Sequence, residues 1–230
     1  MGTTLSLYED RFELFDKELA TIKDDYPKLH YRNTEDGLVL EGEISFDLTC
    51  KDKNVNERIS DSYIVQIAFP NNYPDSPPIA KEIGGRIANN FHKNGKELCL
   101  DVPSKVYLIF KEDPTLRHFI KELLEPYLYS HSYWKEHNCK MPFGDRSHYG
   151  EGIIEHYEDL FGIKGKDVVL DFLELLADGC YKQSMPCPCG SKKKIRKCHG
   201  KQFLRIYNLV PIKIIRYELD QILKPRYGMK

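Results

Sequence analysis

The chain has 230 residues, 41% hydrophobic and 12% aromatic, enough for one full core or a core plus a small module, which excludes a peptide-sized fold held by disulfides. The formal net charge of −1 conceals a division: residues 181–230 carry 13 basic and 2 acidic side chains, whereas residues 1–180 carry 21 basic and 33 acidic. No apolar run reaches about 18 residues and the start lacks a basic patch followed by an apolar stretch, so the expectation is a soluble, cytoplasmic protein with no membrane partner.

In chain order, Tyr8, Phe12, Phe15, Leu19 and Ile22 recur at steps of four and three with Asp10, Arg11 and Lys17 between them, which predicts an amphipathic N-terminal helix. Leu38, Leu40, Ile44, Phe46 and Leu48 alternate with Glu41, Glu43, Ser45 and Asp47, the period-two pattern of a strand with one wet face. Tyr63 to Phe69 is almost wholly apolar, as in a more central strand, and Ile79 to Ile83 suits a shorter third one. Between them Pro70, Pro74, Pro77 and Pro78 remove four backbone donors, so Pro70–Pro78 is predicted to be a rigid irregular connection. Ile83 to Leu98, rich in Gly and Asn, reads as a long loop ending at Cys99.

Asp113-Pro114 predicts an N-cap with proline at the first helical position, followed by the stripe Leu116, Ile120, Leu123, Leu124 and Tyr127, a helix reaching Tyr129. Ser130 to Gly150, polar and carrying His131, Trp134, His137, Arg146 and His148, reads as a loop. Two helices follow, one marked by Ile153, Ile154, Tyr157, Leu160 and Phe161, the other by Val168, Val169, Phe172, Leu175 and Leu176. A cysteine-rich segment and a basic amphipathic tail from Phe203 to Leu223, broken at Pro211, complete the chain. The fold class is therefore α+β, with a domain at 1–150, a helical extension at 151–180 and a small module with its tail at 181–230.

The ordered set Phe69-Pro70-Asn71-Asn72-Tyr73-Pro74-Asp75-Ser76-Pro77-Pro78, His92-Lys93-Asn94-Gly95, Cys99-Leu100-Asp101 and Pro114-Thr115-Leu116 resembles the ubiquitin-conjugating enzymes over residues 5–129. The resemblance implies an antiparallel four-stranded meander with flanking helices, and a cysteine that carries a ubiquitin-like protein as a thioester. By resemblance Cys99 is that nucleophile, with His92 and Asn94 as accompanying catalytic candidates. A thioester keeps an acyl group activated without further ATP, and a positioned amine then attacks its carbonyl. The alternative for Cys99 is a buried structural thiol. The family's His-Pro-Asn triplet has its nearest counterpart in His92-Lys93-Asn94, where Lys93 replaces the proline. Asn94 lies five residues before Cys99, and Asn89 and Asn90 lie ten and nine before it, so the spacing assigns the oxyanion donor to none of them. His92 fits bracing of the loop as well as catalysis, and Asn94-Gly95 fits a turn.

Leu128 to Trp134 and Pro142 to His148 resemble segments of bacterial members with C-terminal extensions, of the kind found in type II CBASS antiphage operons. That resemblance implies a cGAS-like nucleotidyltransferase as partner, its C-terminal carboxyl being joined to an amine; a ubiquitin-like protein C-terminus is the other implied acyl donor, with or without a separate activating enzyme. His131, Trp134, Arg146 and His148 fit either a cleft or ordinary packing.

Seven cysteines without an export signal favour metal binding or a reactive thiol over disulfides. Cys187, Cys189, Cys198 and His199 provide four N and S donors within thirteen residues, the set a structural zinc takes, and four protein ligands leave no position for a catalytic water. Gly190 and Gly200 ease the tight turns such a loop needs. Pro186 to Gly200 resembles the SEC-C motif named for the SecA translocase. A module this small is expected to draw most of its folding free energy from the metal. Lys192, Lys193, Lys194, Arg196 and Lys197 fit phosphate contacts, steering of an acidic partner or a solvated face. Cys50, Cys139 and Cys180 lack ligand spacing and read as free thiols. Beside the transferase reading stand a non-catalytic adaptor of the same fold and a nucleic-acid-binding protein using the basic tail.

Overall fold

The structure, a computed structural model of the chain, describes residues 13–34, 37–52, 55–88, 91–138 and 150–224. Tyr8 and Phe12 of the predicted first helix, Asn89, Asn90, Cys139, Arg146 and His148 lie outside the described residues. The chain divides into two compact units, one comprising Met1–Leu100 and Ile109–Gly144, the other Asp101–Leu108 and Asp145–Lys230.

The first unit is built on a six-stranded antiparallel sheet, β1 (His30–Thr34), β2 (Gly37–Asp52), β3 (Val55–Ala68), β4 (Ile79–Glu82), β5 (Lys93–Asn94) and β6 (Glu97–Leu98), in the order β1-β2-β3-β4-β6-β5. The alternation seen in sequence sets the long β2–β3 register, Leu40 opposite Ile67 and Ile44 opposite Tyr63, so that these four side chains are buried. Gly42 has φ +148, and a Cβ there would lie 2.1 Å from the Lys28 carbonyl oxygen, so only glycine lets that chain segment cross β2. Two parts of the sheet escape the pattern reading. β1 is a polar edge strand, and β5 and β6 form a two-residue hairpin inside the predicted loop, turned at Gly95 with φ +63.

Helix α1 (13–22) buries Phe15, Glu18 and Ile22. Glu18 accepts from the Tyr73 hydroxyl at 2.8 Å and from the Leu116 amide at 2.9 Å, tying α1 to the proline-rich turn and to the next long helix. In that turn the Tyr73–Pro74 peptide is cis, and Tyr73 packs edge-on against Phe69. After Cys99 comes α2 (Pro103–Phe110), which the sequence reading omitted. The long helix then runs as α3 (Leu116–Phe119), a π turn at Ile120–Leu124, and α4 (Glu125–Glu136). Its cap is Thr115, whose hydroxyl accepts from the His118 amide at 3.2 Å, rather than the predicted Asp113. The π turn ends two residues before Pro126, which has no amide to complete a regular turn. Ser130–Glu136, predicted to be loop, continues this helix because its inward face carries the buried side chains of His131 and Ser132.

The second unit packs α5 (Gly150–Phe161), α6 (Lys166–Ala177), α7 (Gly200–Leu209) and α8 (Ile212–Leu223) around Tyr157, Phe161, Phe172, Phe203, Ile206, Ile215 and Ile222. Pro211 separates α7 from α8, as the sequence implies. Ile195, from the cysteine segment, is fully buried in the same cluster, and Cys187 also belongs to it. The segment therefore also shares a core with four helices: burying one isoleucine contributes about 1.5–3 kcal/mol, beside the larger share expected from a metal. Within this unit Glu218, fully buried on α8, accepts from the Tyr157 hydroxyl at 2.6 Å and from the Ser104 amide in the first turn of α2 at 2.7 Å. Burial pushes its carboxyl up to about 7 against the hydrogen bonds that favour the charged form. Among the described residues no helix is long and apolar enough to cross a membrane.

Candidate functional sites

The β5–β6 hairpin presents Cys99. Its amide donates to the His92 carbonyl at 2.8 Å, extending the register Lys93 opposite Leu98 by one pair, so His92 stands across from Cys99 at the open end of the hairpin. Asn94 is exposed at the turn end, opposite Glu97. Phe91 and Leu98 are buried and anchor both arms, while Cys99 itself is exposed. The alternative of a sealed structural thiol does not describe this side chain.

The base of the hairpin is held from α4. Tyr127 donates to the His92 carbonyl at 3.0 Å, and that carbonyl therefore serves two donors while His92 adopts the left-handed φ of +23. Burial drives the Tyr127 phenol far above its usual range, and charge on Cys99 pushes the same way. Lys93, in the position of the family's proline, donates to the Ile87 carbonyl at 3.2 Å, and buried Glu82 accepts from the amides of Arg86 and Ile87. The loop before Cys99 is thus braced by three side chains from three directions.

Beneath Phe91 lies a polar network that joins α4 to β3. His131 Nδ1 is 2.7 Å from the Tyr63 hydroxyl, which is 2.7 Å from Ser132 Oγ, which donates to Asp61 at 2.7 Å. Arg86 grips Asp61 at 2.7 and 2.9 Å and lies 4.2 Å over the Tyr63 ring. Burial lowers His131 to about 4, keeping the ring neutral, and its edge-on contact with Phe91 has centroids 4.8 Å apart. Burial alone would raise Asp61, but hydrogen bonds from Arg86 and Ser132 outweigh it and hold the carboxyl at about 2. His131 and Trp134 both pack on Phe91, so of the two readings offered for them the structure has packing. Sequence reasoning missed Tyr63, Asp61 and Arg86, because residues 68 positions apart meet only through the tertiary fold.

The second site lies in the other unit. Cys187 Sγ is 3.2 Å from His199 Nδ1, Cys198 Sγ is 3.4 Å from the same nitrogen, and Cys189 Sγ is 3.5 Å from Cys198 Sγ. All four donor atoms fall within 4.8 Å of one another, so the cluster can hold a metal ion. Local backbone builds it. Pro186 and Lys194 form a bridge, Cys187 N donates to Lys193 O at 2.8 Å, and Ile195 N donates to Met185 O at 2.9 Å. A turn at Ile195–Lys197 then delivers Cys198, and His199 precedes the first residue of α7. A Cβ on Gly200 would lie 2.9 Å from the Ile195 carbonyl, so glycine is required where the ligand loop enters the helix. Burial pushes the Cys187 thiol up to about 11; at Cys189 hydrogen bonds from Ser191 and the neighbouring thiols overcome burial and hold it at about 6. Phe172 stands edge-on to the His199 ring, fixing its plane.

A second group of donors, Glu57, Glu136 and His137, meets at the end of α4, with His137 Nε2 2.8 Å from Glu57. None of the six described cysteines is in a disulfide, Cys50 and Cys180 included. No protein-family model matches the chain, and no curated protein matches it with significant similarity.

Proposed function

We propose that the first unit is a ubiquitin-conjugating-like acyl transferase with Cys99 as its nucleophile. The observation that carries this reading is the exposed thiol on a short hairpin whose flanks, Phe91 and Leu98, are buried. The succession of helix, antiparallel strands, proline-rich turn, cysteine loop and long helix supports it, because that order is the one the resemblance implies.

The Cys99 thiolate attacks the carbonyl of an acyl thioester presented by an activating partner; the new carbon–sulfur bond forms as the donor thiolate leaves. An amine then attacks the Cys99 thioester, loses a proton to solvent, and expels the Cys99 thiolate, leaving an amide. In this reading His92, across the hairpin from Cys99, orients the acyl carbonyl, and Asn94 steadies the turn. The acyl group is the C-terminal carboxyl of a partner protein, a cGAS-like nucleotidyltransferase of a type II CBASS antiphage system, in the cytoplasm of a bacterium. The chemistry demands placement of two reactants more than acid–base groups, and the braced loop suits placement.

The cysteine cluster is proposed to hold a structural zinc. A tetrahedron with metal–sulfur arms of about 2.3 Å has edges of roughly 3.8 Å. Donor separations of 3.2, 3.4 and 3.5 Å approach that size. The ion would join the loop around Cys187 and Cys189 to the start of α7.

Incubating the protein with the nucleotidyltransferase, its activating partner and ATP is expected to give a band on a non-reducing gel that thiol removes. Cys99→Ser should convert it to a thiol-resistant ester, and Cys99→Ala should abolish both. A thiol-labile band that survives in Cys99→Ala overturns the assignment. Metal analysis should return about one zinc per chain.

A further inference from the structure

The 39 residues from Gly179 to Tyr217 contain ten Lys and Arg and no Asp or Glu. The next acid, Glu218, is fully buried and engaged by Tyr157 and Ser104, so it offsets nothing at the surface. Lys192, Lys193, Lys194, Arg196, Lys197 and Lys201 are all exposed. None of the six has an acidic partner within ion-pair distance among the described residues. A divalent ion on three thiolates and a neutral imidazole carries a charge of about −1, so one cation balances the metal cluster and the rest are surplus. On α8, Lys213 and Tyr217 lie one turn apart and both are exposed, Tyr217 by 47%.

We propose that the exposed cations of the cysteine segment, together with Lys213 and Tyr217 of α8, bind single-stranded nucleic acid through its sugar–phosphate backbone. Ammonium and guanidinium groups this close along the chain and without acidic partners repel one another in the free protein and gain by releasing counterions from a polyanion. The exposed Tyr217 ring offers a base a stacking surface without regard to sequence. The inference goes beyond acyl transfer and does not depend on Cys99.

Full-length, metal-loaded protein is titrated into a fluorescein-labelled 20-nucleotide oligo(U) strand, read by anisotropy at several salt concentrations. Binding should weaken steeply with salt, with a log–log slope of about −0.7 for each phosphate neutralised. Replacing Lys192, Lys193, Lys194 and Lys197 together by Gln should weaken binding about tenfold or more and flatten the slope by roughly 3. Unchanged metal content and melting temperature show that this variant is folded. Tyr217→Ala should weaken binding a few-fold at an unchanged slope, and Cys99→Ser should leave it unaltered. Absence of binding at low salt, equal binding by the glutamine variant, tighter binding of a duplex of the same length, or displacement of the strand by poly-glutamate overturns the proposal, the last reassigning the face to an acidic protein.

Discussion

In the first unit Glu18 lies one helical turn from both Phe15 and Ile22, and takes one hydrogen bond from a tyrosine hydroxyl and one from the amide that opens a helix. In the second, Glu218 lies at the same spacing between Ile215 and Ile222 and takes the same two kinds of donor, from Tyr157 and Ser104. The internal device is shared, but the surfaces differ. The first unit pairs many of its cations, as in Lys28–Glu43, Arg32–Glu41, Arg86–Asp61 and Arg117–Asp25. Among the described residues of the second, Lys192, Lys193, Lys194, Arg196, Lys197 and Lys201 have no carboxylate within ion-pair distance. A buried acid that accepts from neutral donors can thus join elements without a counter-charge, whereas surface charge left uncompensated is screened only by solvent and salt.

The strongest test of the difference is Cys198→Ser. Metal content should fall from about one ion per chain to near zero, and the second unit should unfold several degrees lower, while thioester formation at Cys99 is retained. Loss of both together would show that the metal cluster supports the whole chain. Calorimetry and metal analysis read the second unit, and the thiol-labile band on a non-reducing gel reads Cys99.

The next test uses pH, because the two units carry shifts of opposite sign. Glu218 is raised to about 7 from an ordinary value near 4.5, so the stability it allows is full below about 4.5 and is lost as pH rises through 7. A shift of that size corresponds to about 3 kcal/mol. Asp61 is lowered to about 2, so its contribution is present above its ordinary value near 3.8 and is lost as pH falls toward 2. Thermal melts between pH 5 and 8 should show the second unit weakening, and Glu218→Gln should flatten that dependence. An unchanged slope in the variant would remove Glu218 as its source.

The smallest effect is expected at the sheet surface. Asp47 pairs with Arg58 at an exposed position, its carboxyl lowered by the hydrogen bond from that guanidinium. Asp47→Asn should leave the melting midpoint of the first unit unchanged within error, since exposed pairs gain little over hydration. A clear drop would show that the pairing of its surface charges is structural.

Where the pattern was simple, the sequence was legible. Period-two alternation located β2, the stripe through Ile153 and Tyr157 located α5, and donor spacing alone gathered Cys187, Cys189, Cys198 and His199, since thirteen residues of chain cannot separate them far. Helix α2 escaped because Val106 to Phe110 is an unbroken apolar run, in which helical and strand periods cannot be told apart. β1 escaped because its only large apolar side chain is Tyr31, and β5 and β6 because two residues show no period. The buried glutamates did leave a trace: Phe15-x-x-Glu18-x-x-x-Ile22 and Ile215-x-x-Glu218-x-x-x-Ile222 place an acid squarely on an apolar stripe. The network from Asp61 to His131 left none, because its members come from a strand, a loop and a helix distant in sequence.

Ile195 sits between the donor pairs Cys187/Cys189 and Cys198/His199 and is rooted in the helical core. The side chain that tethers the middle of this loop is thus held by helices α5 to α8 and not by the four donors, so the spacing of the donors is set in part by apolar packing outside their own segment.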